Sequence, residues 1–452
     1  MRLLYLTAGA AEMYCGSCLR DNALATALLA RGHDVLLQPI YTPTTTDEKN
    51  VSAPHVLFGG VSVFLEQHVP LFRYTPAFLD RIWDSNAALR VASRRQIKVD
   101  PHALGEMTVS MLRGMYGHQR KEVMKMLRWL QDQPRFDAIS LPFALLIGLA
   151  RPLRETLKAP IVCTLQGEDL FLEQLPEPWR TEALKLIRAS IDDVDLFISV
   201  SEAYVPFMSR YLRIPEAKMR VLPLGITMDG HTPQVTRDTP PYTVGFFGRI
   251  APEKGLHLLA DAYRRLRRKP GVPETRLLAA GYMLNEHRPY FAKVEEDLRG
   301  WGLEREFHYA GAPDRAGKIA CLQQMDVFSM PATYDEPKGH TLIEAMANGV
   351  PIVQPDRGSF TEIVQRTGGG LLVAKDDPDA LADGLFALLT DRRRAAELGR
   401  AGAEGVRRHY SVDVMAAKAE EVLQGVRLGS DQGQTGVRPG SDQGQTPLPS
   451  DS

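Results

Sequence analysis

The stretch Val244–Leu266, VGFFGRIAPEKGLHLLADAYRRL, predicts a strand, a tight turn and a helix in direct succession. Its apolar run ends at Phe247, and Gly248 lets the backbone turn closely. From Leu256 onward, apolar residues recur at helical spacing. A strand that passes into a helix through so short a turn is typical of a parallel sheet covered by helices.

The same alternation of apolar runs and helical patterns extends in both directions from this stretch. The first half of the chain contains the runs LLYLT, DVLLQPI, FDAISL, APIVCTL and DLFISVS, and the second half contains YTVGFFG, ETRLLAAG, EFHYAG, MDVFSMP, VPIVQP and GGLLV. Between the halves, residues 226–241 lack periodicity and are rich in Pro, Thr and Asp, which is typical of a linker. We therefore predict an α/β protein with two Rossmann-like domains.

The pattern divides the chain into five segments. We expect a first Rossmann-like domain over 1–225, a linker over 226–241 and a second Rossmann-like domain over 242–408. A last helix over 409–427 is expected to cross back to the first domain. The tail over 428–452 contains GSDQGQT twice and hardly an apolar residue, so we expect it to be disordered.

The composition is that of an ordinary globular protein. Of the 452 residues, 44% are hydrophobic and 24% are charged, and the formal net charge is -1. Because there is no basic excess, nucleic-acid binding is not expected. The four cysteines fit a reducing compartment. The apolar runs at the N-terminus and at 142–150 are too short for a signal peptide or a membrane span, so we expect a cytoplasmic protein.

One segment departs from the average charge. Residues 84–130 carry nine basic and four acidic side chains, a surplus of five positive charges. Its part MLRGMYGHQRKEVMKMLRWL mixes Met, Leu and Trp with cations, which is compatible with a peripheral contact to the inner face of a membrane or to an anionic acceptor. The alternative, which we favour, is a solvated helix that packs its Met and Leu side on the sheet.

Two cations follow the strand of the opening stretch. Arg249 comes directly after Gly248, and Lys254 lies just before Gly255 and the next helix. Cations at the carboxyl edge of a strand, beside a helix N-terminus, can neutralise a diphosphate together. They could also be ordinary surface residues of a loop.

Two acids occur in Pro331–Pro355, PATYDEPKGHTLIEAMANGVPIVQP. Glu336 lies in a turn, and Glu344 lies on the helix TLIEAMANG that follows. Carboxylates accept hydrogen bonds from hydroxyl groups, so a sugar ring and a ribose are natural ligands. The turn also presents the backbone amides of four residues to an anion at the helix start: Lys338, Gly339, His340 and Thr341. The alternative is that neither acid binds a ligand, so that Glu336 is an ordinary loop residue and Glu344 a solvated helix residue.

These residues resemble the retaining GT-B glycosyltransferases of family 4. The pattern "G-R, four residues, K-G" and the pattern "E-P-x-G, then E-A" are matched by Gly248, Arg249, Lys254, Gly255, Glu336, Pro337, Gly339, Glu344 and Ala345. Weaker landmarks, including RGHDV, SVSEAY, VLPLGI and DDPDALADGL, extend the resemblance from residue 1 to about residue 425.

The resemblance implies a GT-B fold, in which two Rossmann-like domains face each other across a cleft. It implies a nucleotide-sugar donor in the second domain, an acceptor in the first, and transfer with retention of configuration. Arg249 and Lys254 would stabilise the leaving diphosphate, Glu336 would hold the transferred sugar, and Glu344 would bind the ribose of the nucleotide. No cofactor is implied beyond the nucleoside-diphosphate sugar, and the acceptor is unspecified, with a glycan or a lipid-linked glycan compatible.

Two sites in the first half bear on substrate binding. In Cys15-Gly16-Ser17-Cys18, Cys15-Gly16 stands where the family usually has Gly-Gly, so the resemblance implies that Gly16 and Ser17 line the site. A redox pair or half a zinc site remains an alternative, although Cys163 and Cys321 stand apart. In APIVCTLQGEDLF, Gln166 occupies the slot where the family commonly has His, and glutamine cannot titrate near neutrality.

Three rival functions stay open. Gln166 favours a sugar-nucleotide binding protein without transfer activity, and Leu224, where many relatives carry Asn, is a smaller departure. An NAD-dependent oxidoreductase is disfavoured because AGAAEMYCGSC lacks the glycine spacing of a dinucleotide loop. A redox protein would depend on the cysteine pair. No metal is expected, since Asp377-Pro378-Asp379 predicts a helix start and Asp193-Val194-Asp195 precedes a buried strand.

Overall fold

The computed structural model of the protein describes residues 1–9, 16–58, 67 and 101–435. Three predictions fall wholly or partly outside these residues. They concern Cys15 of the cysteine pair, residues 84–100 of the basic segment, and residues 436–452 of the tail.

The first domain contains one parallel sheet. Its strands are β1 Arg2–Thr7, β2 Asp34–Pro39, β3 Ala138–Leu141, β4 Ile161–Leu165, β5 Leu196–Ser199 and β6 Met219–Val221. Its helices are α1 Gly16–Ala30, α2 Pro101–Leu112, α3 Arg120–Gln131, α4 Ala150–Leu157, α5 Glu168–Gln174, α6 Trp179–Ala189 and α7 Tyr204–Leu212.

The second domain repeats this construction. Its strands are β7 Tyr242–Phe247, β8 Thr275–Ala280, β9 Phe307–Tyr309, β10 Val327–Phe328, β11 Ile352–Pro355 and β12 Gly370–Val373. Its helices are α8 Leu256–Leu266, α9 Arg288–Gly300, α10 Arg315–Gln323, α11 His340–Ala347, α12 Gly358–Thr367, α13 Pro378–Thr390 and α14 Arg392–His409, and α15 Val412–Thr435 follows.

Within the described ranges, both sheets have six strands in Rossmann-like order. The first runs β2-β1-β3-β4-β5-β6 and the second runs β12-β11-β10-β7-β8-β9, and the pairs are parallel. The predicted α/β architecture is confirmed. The sequence analysis missed β6, because its three residues offer no alternating pattern long enough to recognise.

Each sheet is covered on its faces by apolar side chains. Phe246, Tyr263, Phe328 and Phe360 are fully buried in the core of the second domain. The first sheet has a separate core on each face, and one of them is completed by α15. Since both sheets are parallel, the loops that follow their strands gather at one edge of each sheet, where ligands bind in this class of fold.

Helix α15 packs on the first sheet although it follows the second domain. Met415, Ala419 and Leu423 are buried against Leu3 and Leu24 of the first domain. The helix continues eight residues past the predicted boundary at 427 and ends at Thr435. A helix that has already formed adds residues far more easily than a new one nucleates, so polar tail residues can extend it.

The described part of the basic segment packs its apolar side inward. Helix α3 buries Val123, Met126, Leu127 and Leu130, and these side chains belong to a core of the first domain. The interpretation that this side packs on the domain is therefore confirmed for residues 120–130. Among the described residues, no helix combines the length and the apolar character needed to cross a bilayer.

Gly255 is required by the turn between β7 and α8. Its φ is +78°, and a Cβ atom there would lie 1.9 Å from the carbonyl oxygen of Pro331. A side chain would therefore add a clash with backbone to the cost of a left-handed conformation.

We expect Gly255→Ala to lower the free energy of unfolding by more than the roughly 1–2 kcal/mol that left-handed strain costs. The matched control is Gly271→Ala, because Gly271 has a similar φ of +76° but has open space around it. Chemical denaturation of both variants measures the difference. Equal losses would show that the contact with Pro331 is unimportant.

Candidate functional site

The loops at the carboxyl edges of the two sheets face each other and touch at several points. A Cβ atom on Gly167, which follows β4, would lie 3.4 Å from Cγ of Pro337 in the second domain. The backbone amide of Glu202, just before α7, donates to Glu362 on α12 at 2.8 Å. A cleft between the domains therefore joins the segments that the sequence analysis selected.

Lys254 and Glu336 form an ion pair in this cleft, in which the ammonium is partly buried and the carboxylate is buried. Tyr334 donates its hydroxyl hydrogen to the same carboxylate, and the ammonium of Lys254 donates to the Tyr334 oxygen at 2.6 Å. Glu336 is only 4% exposed. Burial by itself would raise the pKa of Glu336, but Lys254 and Lys338 outweigh it and lower the pKa to about 2. Glu336 is thus a carboxylate that stays ionised at neutral pH.

The turn before this pair fixes Arg249. The amide of Gly248 donates to the carbonyl oxygen of Ala280 at 3.0 Å, so the turn continues the sheet register. The guanidinium of Arg249 forms an ion pair with Glu253 and remains 35% exposed. Both predicted cations therefore lie at the carboxyl edge of β7, where Arg249 is the more exposed and Lys254 is partly buried against Glu336.

The segment after Glu336 leads into α11. Gly339 begins this helix with a φ of +64°, and a Cβ there would lie 2.4 Å from Ile363. The carbonyl oxygen of Glu336 accepts a hydrogen bond from the Ser359 amide at 2.9 Å, which pins the turn to α12. The first amides of a helix have no partner within it, so His340 and Thr341 present positive backbone groups beside the Lys254–Glu336 pair.

Thr341 and His340 differ in where their side chains lie. The Thr341 hydroxyl donates to the sulfur of Met330 at 3.6 Å, so it faces the protein interior. The Nε2 atom of His340 lies 3.5 Å from Oε1 of Glu344, one helical turn later. The predicted contribution of Thr341 is thereby limited to its backbone, whereas His340 joins a second cluster around Glu344.

A second lysine, Lys318, forms an ion pair with Glu344. Glu344 is 3% exposed, and Lys318 on α10 lies 2.5 Å from its carboxylate. Burial would raise the pKa of Glu344, but Lys318 and His340 hold it well below its usual range. The two predicted acids are therefore held by two separate lysines in two neighbouring clusters.

The Glu344 cluster reaches across to the first domain. Lys318 also contacts Asp47 at 2.7 Å, and the guanidinium of Arg315 contacts Glu48 at 3.0 Å. A pocket between the domains is lined by these four residues and by Leu19, Ala23, Gly225, Ile226, Thr227, His231, His340 and Glu344. Burial lowers the pKa of His231 to about 4, so its imidazole is neutral at physiological pH.

Gln166 is buried rather than displayed in the cleft. Its side-chain amide donates to the carbonyl oxygen of Pro142 at 2.7 Å, and its backbone amide donates to Glu168 at 2.7 Å. Glu168 in turn accepts from the Ala144 amide at 3.0 Å. Gln166 thus ties together the loops after β3 and β4. The side-chain nitrogen is thereby occupied, whereas the side-chain oxygen Oε1 is buried and accepts no hydrogen bond from the described residues.

Gly16 and Ser17 form the first turn of α1 and are half-buried. The next residue, Cys18, is buried, and its sulfur accepts from the Thr7 hydroxyl at 3.8 Å. A redox centre requires an accessible thiolate, which this environment does not offer. The predicted helix start at Asp377 is confirmed, because its carboxylate accepts from the amides of Asp379 and Ala380.

Sequence reasoning missed three side chains at the cleft: Tyr334, Lys318 and Asp169. Asp169 lies at the start of α5 and accepts a hydrogen bond from the hydroxyl of Tyr204. A signal existed for Lys318, because it lies among apolar residues of a short helix where a solvated lysine is unexpected. Tyr334 and Asp169 stand in loops or at a helix start, where the sequence has no periodicity to interpret.

Comparison with known families matches two models along the chain. Residues 22–229 match Glycosyltransferase Family 4, and residues 229–405 match Glycosyl transferases group 1. The two matches meet in the segment between the domains. Each therefore corresponds to one of the two Rossmann-like units.

Curated relatives match parts of the chain. A phosphatidyl-myo-inositol mannosyltransferase of Mycobacterium leprae is 35% identical over 199 residues, which are 42% of this chain and 49% of the relative. A GDP-mannose-dependent alpha-(1-6)-phosphatidylinositol monomannoside mannosyltransferase of Mycobacterium tuberculosis is 28% identical over 64% of this chain and 73% of its own length. The chain spans about half the length of the first curated relatives that it matches.

Solved structures share the fold over nearly the whole chain. A sucrose-phosphate synthase from Thermosynechococcus elongatus superimposes with a TM-score of 0.68 at 19% identity, covering 95% of this chain and 100% of that one. Anabaena Alr3699/HepE, in complex with UDP and glucose, has a TM-score of 0.64 at 17% identity and covers 94% of this chain and 100% of its own. The predicted GT-B fold is confirmed.

The low pKa of Glu336 predicts an acid-sensitive contribution to stability. The folded pKa of about 2 lies below the ordinary value of 4.5, so the pairing stabilises the folded state above about pH 4.5. This contribution, on the order of 3 kcal/mol, is lost as the pH falls from 4.5 towards 2.

We expect the difference in unfolding free energy between the wild type and Glu336→Gln to be large at pH 6 and to shrink by pH 3. The control Glu304→Gln, at an exposed carboxylate, should show no such trend. Urea unfolding at both pH values measures it. A difference that stays constant with pH would contradict the assigned ion pair.

Proposed function

We propose that this chain is a glycosyltransferase that moves a sugar from a nucleoside-diphosphate sugar to an acceptor hydroxyl with retention of configuration. The observation that carries the proposal is the cluster at the carboxyl edge of β7. It joins two cations, an ionised and buried carboxylate, and the N-terminus of α11. The family matches over both domains and the GT-B fold support the same function.

The cations and the helix start suit a diphosphate. As the bond between the sugar and the phosphate breaks, negative charge accumulates on the leaving group. Arg249 and Lys254 supply positive charge, and the amides of His340 and Thr341 supply hydrogen-bond donors beside them. Lys254 then serves both Glu336 and the leaving diphosphate, so the partly buried ammonium has an anionic partner at each stage.

The two carboxylates bind different parts of the donor. Ionised Glu336 can only accept hydrogen bonds, so it holds hydroxyl groups of the transferred sugar beside the breaking bond. Glu344, on α11 in the pocket with Lys318 and His340, accepts the ribose hydroxyls of the nucleotide. The separation of the acids into two clusters matches the two ends of a nucleotide sugar.

The reaction needs no nucleophile from the protein. The acceptor oxygen attacks the anomeric carbon on the face that the diphosphate leaves, and a departing phosphate oxygen takes the acceptor's proton. The new bond therefore has the same configuration as the old one. The proposal includes no metal and no further cofactor, and it places the reaction in the cytoplasm, where the four cysteines suit the reducing conditions.

One observation favours a second candidate, a sugar-nucleotide binding protein without transfer activity. Gln166 cannot titrate, and its side-chain amide is engaged by the Pro142 carbonyl instead of facing a substrate. Such a protein would bind the donor at the Lys254–Glu336 cluster but would leave it intact. Both candidates bind the donor, but only the glycosyltransferase cleaves it.

The test measures the thermal shift of the wild type and of Arg249→Ala with UDP, GDP, ADP and NAD. A diphosphate at about 100 times its dissociation constant should add roughly 2.7 kcal/mol of stability to the wild type. The shift should be reduced in Arg249→Ala, whose side chain is 35% exposed and lies outside the apolar core. Stabilisation by NAD but by no diphosphate would contradict the donor site.

Turnover separates the two candidates. With the nucleoside-diphosphate sugar whose nucleotide binds, the wild type should release the free nucleoside diphosphate, slowly when water accepts the sugar and faster with an acceptor. Glu336→Ala should lower this rate by on the order of 10² to 10³, while Glu304→Gln should keep it. Donor binding without any release, across a broad panel of acceptors, would favour the binding protein.

A further inference from the structure

His231 lies in the segment between the two domains, and its side chain is buried against the second domain. It is 5% exposed, and the side-chain amide of Asn348 lies 2.9 Å from its Nδ1 atom. Asn348 directly follows α11, the helix that carries Glu344. The backbone amide of His231 donates to the carbonyl oxygen of Met228 at 3.1 Å, which closes a turn. The imidazole is therefore held in one place beside α11.

The surroundings of Asn348 determine which nitrogen of His231 carries the hydrogen. The Nδ2 atom of Asn348 also lies 2.9 Å from the carbonyl oxygen of Glu344, and a carbonyl oxygen can only accept. Gln323 donates to the side-chain oxygen of Asn348 at 3.3 Å, which agrees with this orientation of the amide. Nδ1 of His231 is thus an acceptor, so the hydrogen of the neutral ring lies on Nε2.

The imidazole of His231 is neutral near pH 7. Burial is the largest cause and lowers its pKa to about 4. The carboxylate of Glu344 opposes this lowering of the pKa, and the charges of Arg315, Lys318 and His340 add to it. The Nε2–H group is buried and has no hydrogen-bond partner among the described residues. Because a buried donor without a partner is costly, it points to a water molecule or a ligand.

His231 and Glu344 line the same pocket between the domains. The pocket has a volume of about 10 Å³, which is room for about one water-sized group. The carboxylate of Glu344 contacts Lys318 at 2.5 Å and His340 at 3.5 Å, and both contacts fall on Oε1. Its other oxygen remains for a further donor. The pocket therefore combines a group that can only accept hydrogen bonds with a group that can only donate one.

We propose that the Nε2–H group of His231 donates to a ribose hydroxyl of the nucleotide, and that the same hydroxyl donates to Glu344. A hydroxyl group can satisfy both residues because it donates and accepts at once. A phosphate oxygen would be repelled by the carboxylate, and an ammonium would leave the Nε2–H group without an acceptor. The inference rests on the proposed transferase function and adds a second residue to its ribose site.

A site that recognises a hydroxyl predicts weaker binding of nucleotides that lack it. The experiment titrates the full chain calorimetrically with UDP, GDP and ADP and with the 2′-deoxy and 3′-deoxy forms of each. The wild type should bind at least one of these ribonucleotides more tightly than one of its deoxy forms. His231→Phe keeps a ring but removes the donor. It should weaken the ribonucleotide by about tenfold, close to the value of one hydrogen bond, and leave that deoxy form nearly unchanged.

Two further variants control the experiment. His231→Gln keeps a hydrogen-bond donor near the position of Nε2, so it should retain part of the preference for the ribonucleotide. His308→Phe makes the same change as His231→Phe at an exposed position of β9 and should behave like the wild type. Circular dichroism and thermal unfolding without a ligand show whether each variant is folded.

The outcomes separate this inference from the proposed function. If a nucleoside diphosphate binds but no deoxy form is weaker, or if His231→Phe preserves the preference, the pocket holds only a water molecule. The inference then fails and the donor site stands. If no nucleoside diphosphate binds, the proposed function fails and the inference fails with it. A preference that is lost in His231→Phe and partly retained in His231→Gln supports both.

Discussion

A buried carboxylate must be neutralised, and this requirement organises the cleft. Glu336 and Glu344 are almost completely removed from solvent, and an unpaired charge in either position would cost several kcal/mol. Each is matched by a lysine distant in sequence, Lys254 from the turn after β7 and Lys318 from α10. Loops that would otherwise be independent are thereby held in one arrangement.

This pairing also explains why the acids can serve a ligand. A carboxylate whose charge is balanced by one lysine keeps lone pairs for further hydrogen bonds, and its ionised state does not change near neutral pH. The site is therefore prepared before a substrate arrives, so little reorganisation is needed during the reaction. Gly255 and Gly339 contribute by letting the backbone pass close enough to Pro331 and Ile363 for these turns to form.

Much of the fold could be predicted from the sequence, because alternating apolar runs and helical patterns are strong local signals. Eleven apolar runs correspond to strands, whereas the three-residue β6 does not carry such a signal. The structure also brings the motifs around Arg249 and Glu336 together at the carboxyl edge of the second sheet. The partners of the acids could not be predicted, because a contact between Lys318 and Glu344 depends on how α10 packs beside α11. Gln166 shows that a position in a motif does not fix the contacts of the side chain. It was selected as a substrate-binding residue, but its side-chain nitrogen donates to the carbonyl oxygen of Pro142.

The return of α15 to the first sheet has a consequence for how the protein is made. The ribosome releases strands β1–β6 first, but the apolar face that Met415 and Leu423 cover stays open until α15 has emerged. The second domain can close its own core before that moment. The domain that is synthesised first is therefore the one that is completed last, and a nascent chain stalled after the second domain would display an uncovered patch of the first sheet to chaperones.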